Sequence, residues 1–506
     1  MPIKLIEQIY KDSQLLTAKS GDFKRVTHSY LQTLIALRFN QQNKNIFIVL
    51  PNLYEAQKYY DNLSNLLDPS YVLFFPMDQT LTSLMALGSP EFKNERLYTL
   101  RKLLKADSKY IVVTTQEGIL SRQLKPEDYE HSVKTICVNE SYDLQDLSKK
   151  LIYDGYQFNY TVERPGEFSL RGSILDIYTH DHKEPYRLDF FGDTLESIKT
   201  FDVQTQISKD HVTSIDLAPL NELFYTDEMK QDALAKIHAY FDKLDLSEKE
   251  SDKLTKDMMH LEERTRIDSL SLYIQFFNPD PTTILNFSNP YDLILVDPYK
   301  MKINEETSRK DLLTYSETME GDAFIDLDFK MNLDTLLNQP HLAFEMYEST
   351  PNNYLDLSIS DVEVFHAQLD QLILFIQEYQ NYHILVAVKN LVTFERIKDF
   401  LNAHKIDYSF NDFNQHHIVL VNQDLPGSFV DNEKKFIVLT EEIILDTRKK
   451  SKVRYRSVIN QAVKIRDVSE LQNGDYVVHY DFGIGQYIGL KTMTLSGDKR
   501  DYLHII

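Results

Sequence analysis

The run Ile46-Phe47-Ile48-Val49-Leu50 closes at Pro51 and is followed by Leu53, Ala56, Tyr60 and Leu63 at spacings of three and four. Five consecutive apolar positions leave no wet face, so the run reads as a strand covered on both sides. The spaced set reads as the buried stripe of a helix. A doubly covered strand leading into a helix is the βα unit of a parallel sheet. Tyr110-Ile111-Val112-Val113-Thr114-Thr115 repeats the strand signal, and Leu293-Ile294-Leu295-Val296 repeats it again, ending at Asp297-Pro298. The N-terminal block is therefore expected to be doubly wound α/β, with residues 1–133 as its first part and 218–338 as its second.

Between them, residues 134–217 change to period-two segments broken by turns, such as Ile174-Leu175-Asp176-Ile177-Tyr178 and Tyr186-Arg187-Leu188-Asp189-Phe190-Phe191. This predicts an inserted, antiparallel, strand-rich domain. Side chains alternate across a strand, so Leu188 and Phe190 share one face, and Arg187, Asp189 and Phe191 the other. Two apolar faces on one small sheet leave two readings open. Phe191 packs under a loop while Arg187 pairs with Asp189 or Asp176, or the arginine and aromatic form an interface. Further on, Thr226 caps a predicted helix with the stripe Ala233, Ile237, Tyr240 and Leu244. The α/β pattern restarts over 339–446, around Tyr382-His383-Ile384-Leu385-Val386-Ala387-Val388, which predicts a separate α/β domain.

Residues 447–468 read as a basic linker, since 448–456 hold six basic residues of nine and no acid. Such runs mark solvated connections or contact DNA. Residues 469–506 show glycine-punctuated alternation, including Gly483, Gly485 and Gly489, as in a small β-barrel. The last apolar run, Tyr502-Leu503-His504-Ile505-Ile506, has no evident pairing partner, which suggests a chain cut from a longer polypeptide.

At 506 residues the chain exceeds a single core, and 42% hydrophobic residues with 31 Tyr and 28 Phe suffice to fill several. The formal charge of -22 excludes a protein that coats nucleic acid through a basic surface. The single cysteine, Cys137, forms neither an intramolecular disulfide nor a cysteine zinc site. Early charge at the N-terminus and the lack of a long uncharged apolar run argue for a cytoplasmic protein without membrane contact. His180, His182, His416 and His417 lack ligand spacing and read as surface residues, so no metal ligand is assigned.

Parallel α/β sheets often bind nucleoside triphosphates, which requires a glycine-rich loop with a lysine and a hydroxyl. Aligned on G-x-x-x-x-G-K-[ST], the segment before the first helix places Thr17, Asp22, Phe23 and Lys24 at the defining positions. A carboxylate then faces the phosphates and an aromatic replaces the lysine. The strand that should end in paired acids ends in Asp297-Pro298, which keeps the acid for metal and loses the catalytic one. The sequence thus assigns a degenerate nucleotide site, with no catalytic and no cofactor-binding residue.

Two segments carry a family resemblance. The first runs from Arg164 through Arg171, Gly172 and Asp176 to Tyr178, and continues with Tyr186–Phe191 and Ile198–Asp202. The second runs from Gly474 to Leu490 and on to Asp501-Tyr502-Leu503. The first resembles the repair helicase subunit UvrB, the second resembles CarD-like regulators, and both in this order resemble the N-terminal half of the bacterial transcription-repair coupling factors, the Mfd family.

The resemblance implies a helicase-like α/β domain with a degraded ATP site, a UvrA-binding insert, and the start of an RNA-polymerase-interacting module. It carries UvrA-contacting roles onto Arg171, Arg187 and Phe191, and contact with the RNA polymerase β subunit onto the strand from Leu490 to Met493. The implied role is an adapter that recruits UvrA to stalled polymerase in nucleotide excision repair. ATP, Mg2+ and duplex DNA are expected only for a C-terminal translocase motor that lies outside this sequence, with the basic linker as a second candidate for DNA. The rival readings are a UvrB-like ATP-dependent helicase and a CarD-like transcription regulator.

Overall fold

In the computed structural model, the described residues are 2–446 apart from 78–89, 181, 183, 245, 264–269, 319–326, 347–352, 411, 414 and 415, followed by 476–479, 483–495 and 498–505. The basic linker lies outside them. Strand Asn45–Leu50 sits within a seven-stranded sheet, in the order Leu355–Asp356, Gly21–Lys24, Leu342–Glu345, Tyr291–Val296, Asn45–Leu50, Ile111–Thr115, Val72–Phe75. Every pairing in it is parallel. Ile46, Ile48 and Leu50 pack with Leu31, Ile35, Ala56, Tyr59 and Leu63 of the helices His28–Gln41 and Leu53–Leu66. Phe47 and Val49 face the opposite layer, with Leu97, Leu100 and Leu103 of helix Pro90–Lys105. This two-sided burial is why residues 46–50 carry no polar side chain.

The expected separate domain starts later than 339. Leu342–Glu345 and Leu355–Asp356 belong to the first sheet, and Ile359–Ser360 opens the second, five-stranded one. That sheet also shares a core with the first. Tyr10 and Tyr30 stand edge-on to Phe436 and Phe429 at 6.0 and 5.4 Å, and the Tyr10 hydroxyl donates to Asp431 Oδ2 at 2.6 Å. Aromatic stripes on the first two helices thus join the α/β units, a contact that periodicity within one segment does not reveal.

Two further expectations change. Helix Asp227–Phe241 is capped by Thr226 as expected, but it buries Ala233, Ile237 and Phe241 and leaves Tyr240 and Leu244 exposed. Steps of four keep Phe241 on the buried line, whereas Tyr240 falls beside it. The last strand, Asp498–Ile505, is not unpaired. It forms an antiparallel hairpin with Gly483–Leu495, which also pairs with Tyr476–His479 to give a three-stranded sheet among the described residues.

The insert is a six-stranded sheet, ordered Ser208–Val212, Thr194–Phe201, Tyr186–Phe191, Ile174–Ile177, Glu167–Arg171, Gln157–Phe158. Pairing is antiparallel except between the last two. Leu175, Ile177, Leu188, Phe190, Leu195 and Ile198 form its core against Leu147 and Leu151 of helix Leu144–Tyr153. No described helix is long and apolar enough to cross a membrane.

Candidate protein-binding surface

Two tight hairpins shape the exposed end of the insert. Arg171 pairs with Ile174 around Gly172-Ser173, and Phe191 pairs with Thr194 around Gly192-Asp193. Each turn needs a left-handed first residue, and the glycines supply it at φ 62° and 59°. A Cβ at Gly192 would meet nothing within 4 Å, so its substitution is penalised through the backbone alone. Gly192→Ala is expected to cost about 1 kcal/mol, read as a lower urea midpoint for the insert.

Both turns lie at one end of the meander and present Arg171 and Phe191 there. Phe191 is 76% exposed, so it does not pack under a loop. The arginines behave differently. In the register Ser169–Asp176–Arg187, Asp176 is 1% exposed and sits between two guanidiniums. Arg187 Nε and Nη2 donate to its two oxygens at 2.7 and 2.9 Å, and Arg171 Nη2 donates at 2.5 Å. The Arg187 guanidinium also lies 4.6 Å over the Phe201 ring, and Asp176 raises its pKa further. Arg187 is thus largely a structural clamp. Arg171, with half of its side chain exposed, and Phe191 are the members that offer free surface.

Sequence reading missed two neighbours. Tyr160 is 85% exposed and Phe158 49%, with ring centroids 5.9 Å apart, and the Tyr160 carbonyl accepts from Ser169 Oγ at 3.0 Å. Tyr160 meets the Asp176 row through Ser169, whereas Phe158 pairs with Phe168 at the edge of the sheet's other face. Their only signal was two aromatics in a segment too short to show a period.

The degenerate nucleotide site is also redrawn. Asp22, Phe23 and Lys24 lie inside strand Gly21–Lys24, and Thr17 ends a short 3-10 turn. The strand-to-helix crossover that faces a phosphate in such sheets is therefore Arg25-Val26-Thr27, not the 17–24 segment. Asp297 follows strand Tyr291–Val296 at φ 51° and is 4% exposed, and Pro298 opens the next helix. Burial raises the pKa of Asp297. Nearby, Glu345 Oε1 accepts from the Tyr299 amide at 2.9 Å, and burial pushes its pKa up to about 6. Asp297 is brought to His28 and Glu55, two residues that no local spacing marked. Glu55, Asp297 and Glu345 thus place three carboxylates at this strand end.

In the last sheet, Leu490 is 53% exposed and pairs with Leu503, while Met493 pairs with Arg500. Over residues 487–495 this strand has one paired neighbour among the described residues. Of the four histidines read as surface residues, only His182 is exposed; His180, His416 and His417 are half-buried.

Residues 135–223 match the UvrB interaction domain family, and residues 471–506 match the CarD-like/TRCF RID domain family. The chain is 29% identical over 518 aligned residues to the transcription-repair-coupling factor of Bacillus subtilis (strain 168), covering 97% of this chain and 43% of that protein. It is 28% identical to those of Staphylococcus aureus (strain USA300) and Staphylococcus epidermidis, covering 94% of this chain and 42% of each relative. It therefore spans less than half the length of these relatives. The two domain matches stand in this order within a similarity to transcription-repair-coupling factors that runs along nearly the whole chain.

Proposed function

We propose that this chain is an adapter that recruits UvrA through its insert and engages the RNA polymerase β subunit through its last sheet, so that repair is directed to stalled transcription. The observation that carries the reading is that the segment matching the UvrB interaction domain family presents exposed Phe191 and half-exposed Arg171 at one end of a rigid meander. An aromatic beside an arginine on fixed strands is the composition of a binding hot spot. UvrB and this chain then compete for one surface of UvrA. Adding UvrB to a preformed complex should release the chain, and a stable ternary complex would overturn the shared-site reading.

The polymerase contact rests on the match to the CarD-like family and on exposed Leu490, whose strand has one paired neighbour among the described residues. Strand addition there uses backbone hydrogen bonds, with side chains setting specificity. Leu490→Glu is expected to weaken capture of the isolated β subunit about tenfold, the scale of one lost apolar contact made worse by a buried charge.

We further propose that ATP-driven translocation on duplex DNA belongs to a motor outside these residues. The carboxylates at the strand ends and the lack of a phosphate-binding lysine in the crossover support this. The helicase alternative requires DNA-stimulated phosphate release by this chain, and a rate equal to a buffer blank removes it. A purely CarD-like regulator would bind polymerase and have no affinity for UvrA.

A further inference from the structure

We propose that His28, Glu55 and Asp297 form a binding site for one divalent transition metal ion at the carboxyl ends of the parallel strands. One ligand atom from each residue lies within 4.8 Å of the other two. The three come from separate crossovers: His28 opens the helix after strand Gly21–Lys24, Glu55 lies in the helix after Asn45–Leu50, and Asp297 follows Tyr291–Val296. The carboxyl ends of strands are where open α/β sheets bind ligands.

Each side chain is already held in place. His28 Nδ1 lies 2.9 Å from the Tyr59 hydroxyl, which fixes the ring and leaves Nε2 to coordinate. Asp297 Oδ1 accepts from the Met346 amide at 2.8 Å, and Glu55 Oε1 accepts from Lys300 Nζ at 2.6 Å and Asn52 Nδ2 at 3.0 Å. Glu55 Oε2 is buried and has no hydrogen-bond partner. Such an atom is costly to leave unmatched and is the natural third ligand.

A simple hydrogen-bonded triad does not account for the arrangement, since among the described residues no hydrogen bond or ion pair joins His28 to either carboxylate. Ligand atoms around a metal at about 2.1 Å stand about 3.4 Å apart, so binding requires the three side chains to close by up to about 1.4 Å. One imidazole with two carboxylates suits Zn2+ or Mn2+ over a soft ion, and three protein ligands leave a position for water.

The test is calorimetric titration of the 506-residue chain with ZnCl2 alone, beside His28→Gln and Glu55→Gln, each first shown by circular dichroism to fold. Glu55→Gln keeps the acceptor for Lys300 and removes only charge. The parent is expected to bind one Zn2+ more than either variant, or to bind that ion at least tenfold more tightly. Co2+ in place of Zn2+ should give the parent a visible d–d absorption that His28→Gln lacks. Equal stoichiometry, affinity and Co2+ spectra in the parent and a folded variant would overturn the site, as would a parent that takes up no Zn2+.

Discussion

Arg187→Ala is expected to destabilise the insert by about 3 kcal/mol, because it removes the two-pronged partner of a carboxylate that has no access to water. Asp176 is 1% exposed, and the remaining Arg171 contact is half-solvated and cannot replace two oxygen contacts. The stack on Phe201 is lost as well. The loss should appear as faster hydrogen exchange across Tyr186–Phe191 and Ile174–Ile177, and as a lower urea midpoint for the insert. Replacing the pair together, Arg187→Met with Asp176→Leu, should recover most of the stability, since an apolar pair leaves no charge stranded. An Arg187→Ala protein as stable as the parent would show that Asp176 is solvated. The consequence for function is direct. Weak partner binding by Arg187→Ala alone reports on folding as much as on contact.

The second large effect is a pH dependence at Glu345, which is 4% exposed at the strand end. Its folded pKa is raised from 4.5 to about 6, mainly by burial, with the Tyr299 amide hydrogen bond opposing the rise, Asp297 adding to it and Lys302 opposing it. The charged form is therefore disfavoured in the folded state. Above pH 6 the folded protein carries the full penalty, about 2 kcal/mol for a shift of this size. As pH falls from about 6 toward 4.5, the folded state takes up a proton before the unfolded chain does, and the penalty is relieved. Glu345→Gln keeps the acceptor for the Tyr299 amide and cannot ionise. It should stabilise the sheet by about 2 kcal/mol at pH 7.5 and leave it unchanged near pH 4.5. Hydrogen exchange at Leu342–Phe344 in EDTA reads this directly, and a gain that is the same at both pH values would contradict it.

The parallel sheet was legible because burial on both faces suppresses polar residues, and Ile46–Leu50 states that in five letters. The faces of Tyr186–Phe191 were legible because strand alternation is strict: Leu188 and Phe190 are buried and Phe191 is exposed. Alternation does not say which charge lies opposite. The union of Asp176 with Arg171 and Arg187 depends on register across three strands, so the sequence left open whether Arg187 pairs with Asp189 or Asp176 or faces a partner, and the structure makes it mostly clamp. The nucleotide-site frame slipped because Gly21–Lys24 is short, mixed in polarity and half-exposed, which hides a strand beside an apolar helix. His28, Glu55 and Asp297 are separated by up to 269 positions. Only the stacking of three crossovers unites them.

The central claim is that the insert's Arg171–Phe191 end is a recruiting surface for UvrA. Its most direct test is a binding titration of the chain against purified UvrA, beside Phe191→Ala and Arg171→Ala, with hydrogen exchange confirming an unchanged sheet in both. The account predicts binding by the parent and at least tenfold weaker binding by Phe191→Ala, since a largely exposed ring can be removed without disturbing the core, with a smaller loss for Arg171→Ala. Equal affinity of parent and Phe191→Ala, or no binding by the parent, would contradict it.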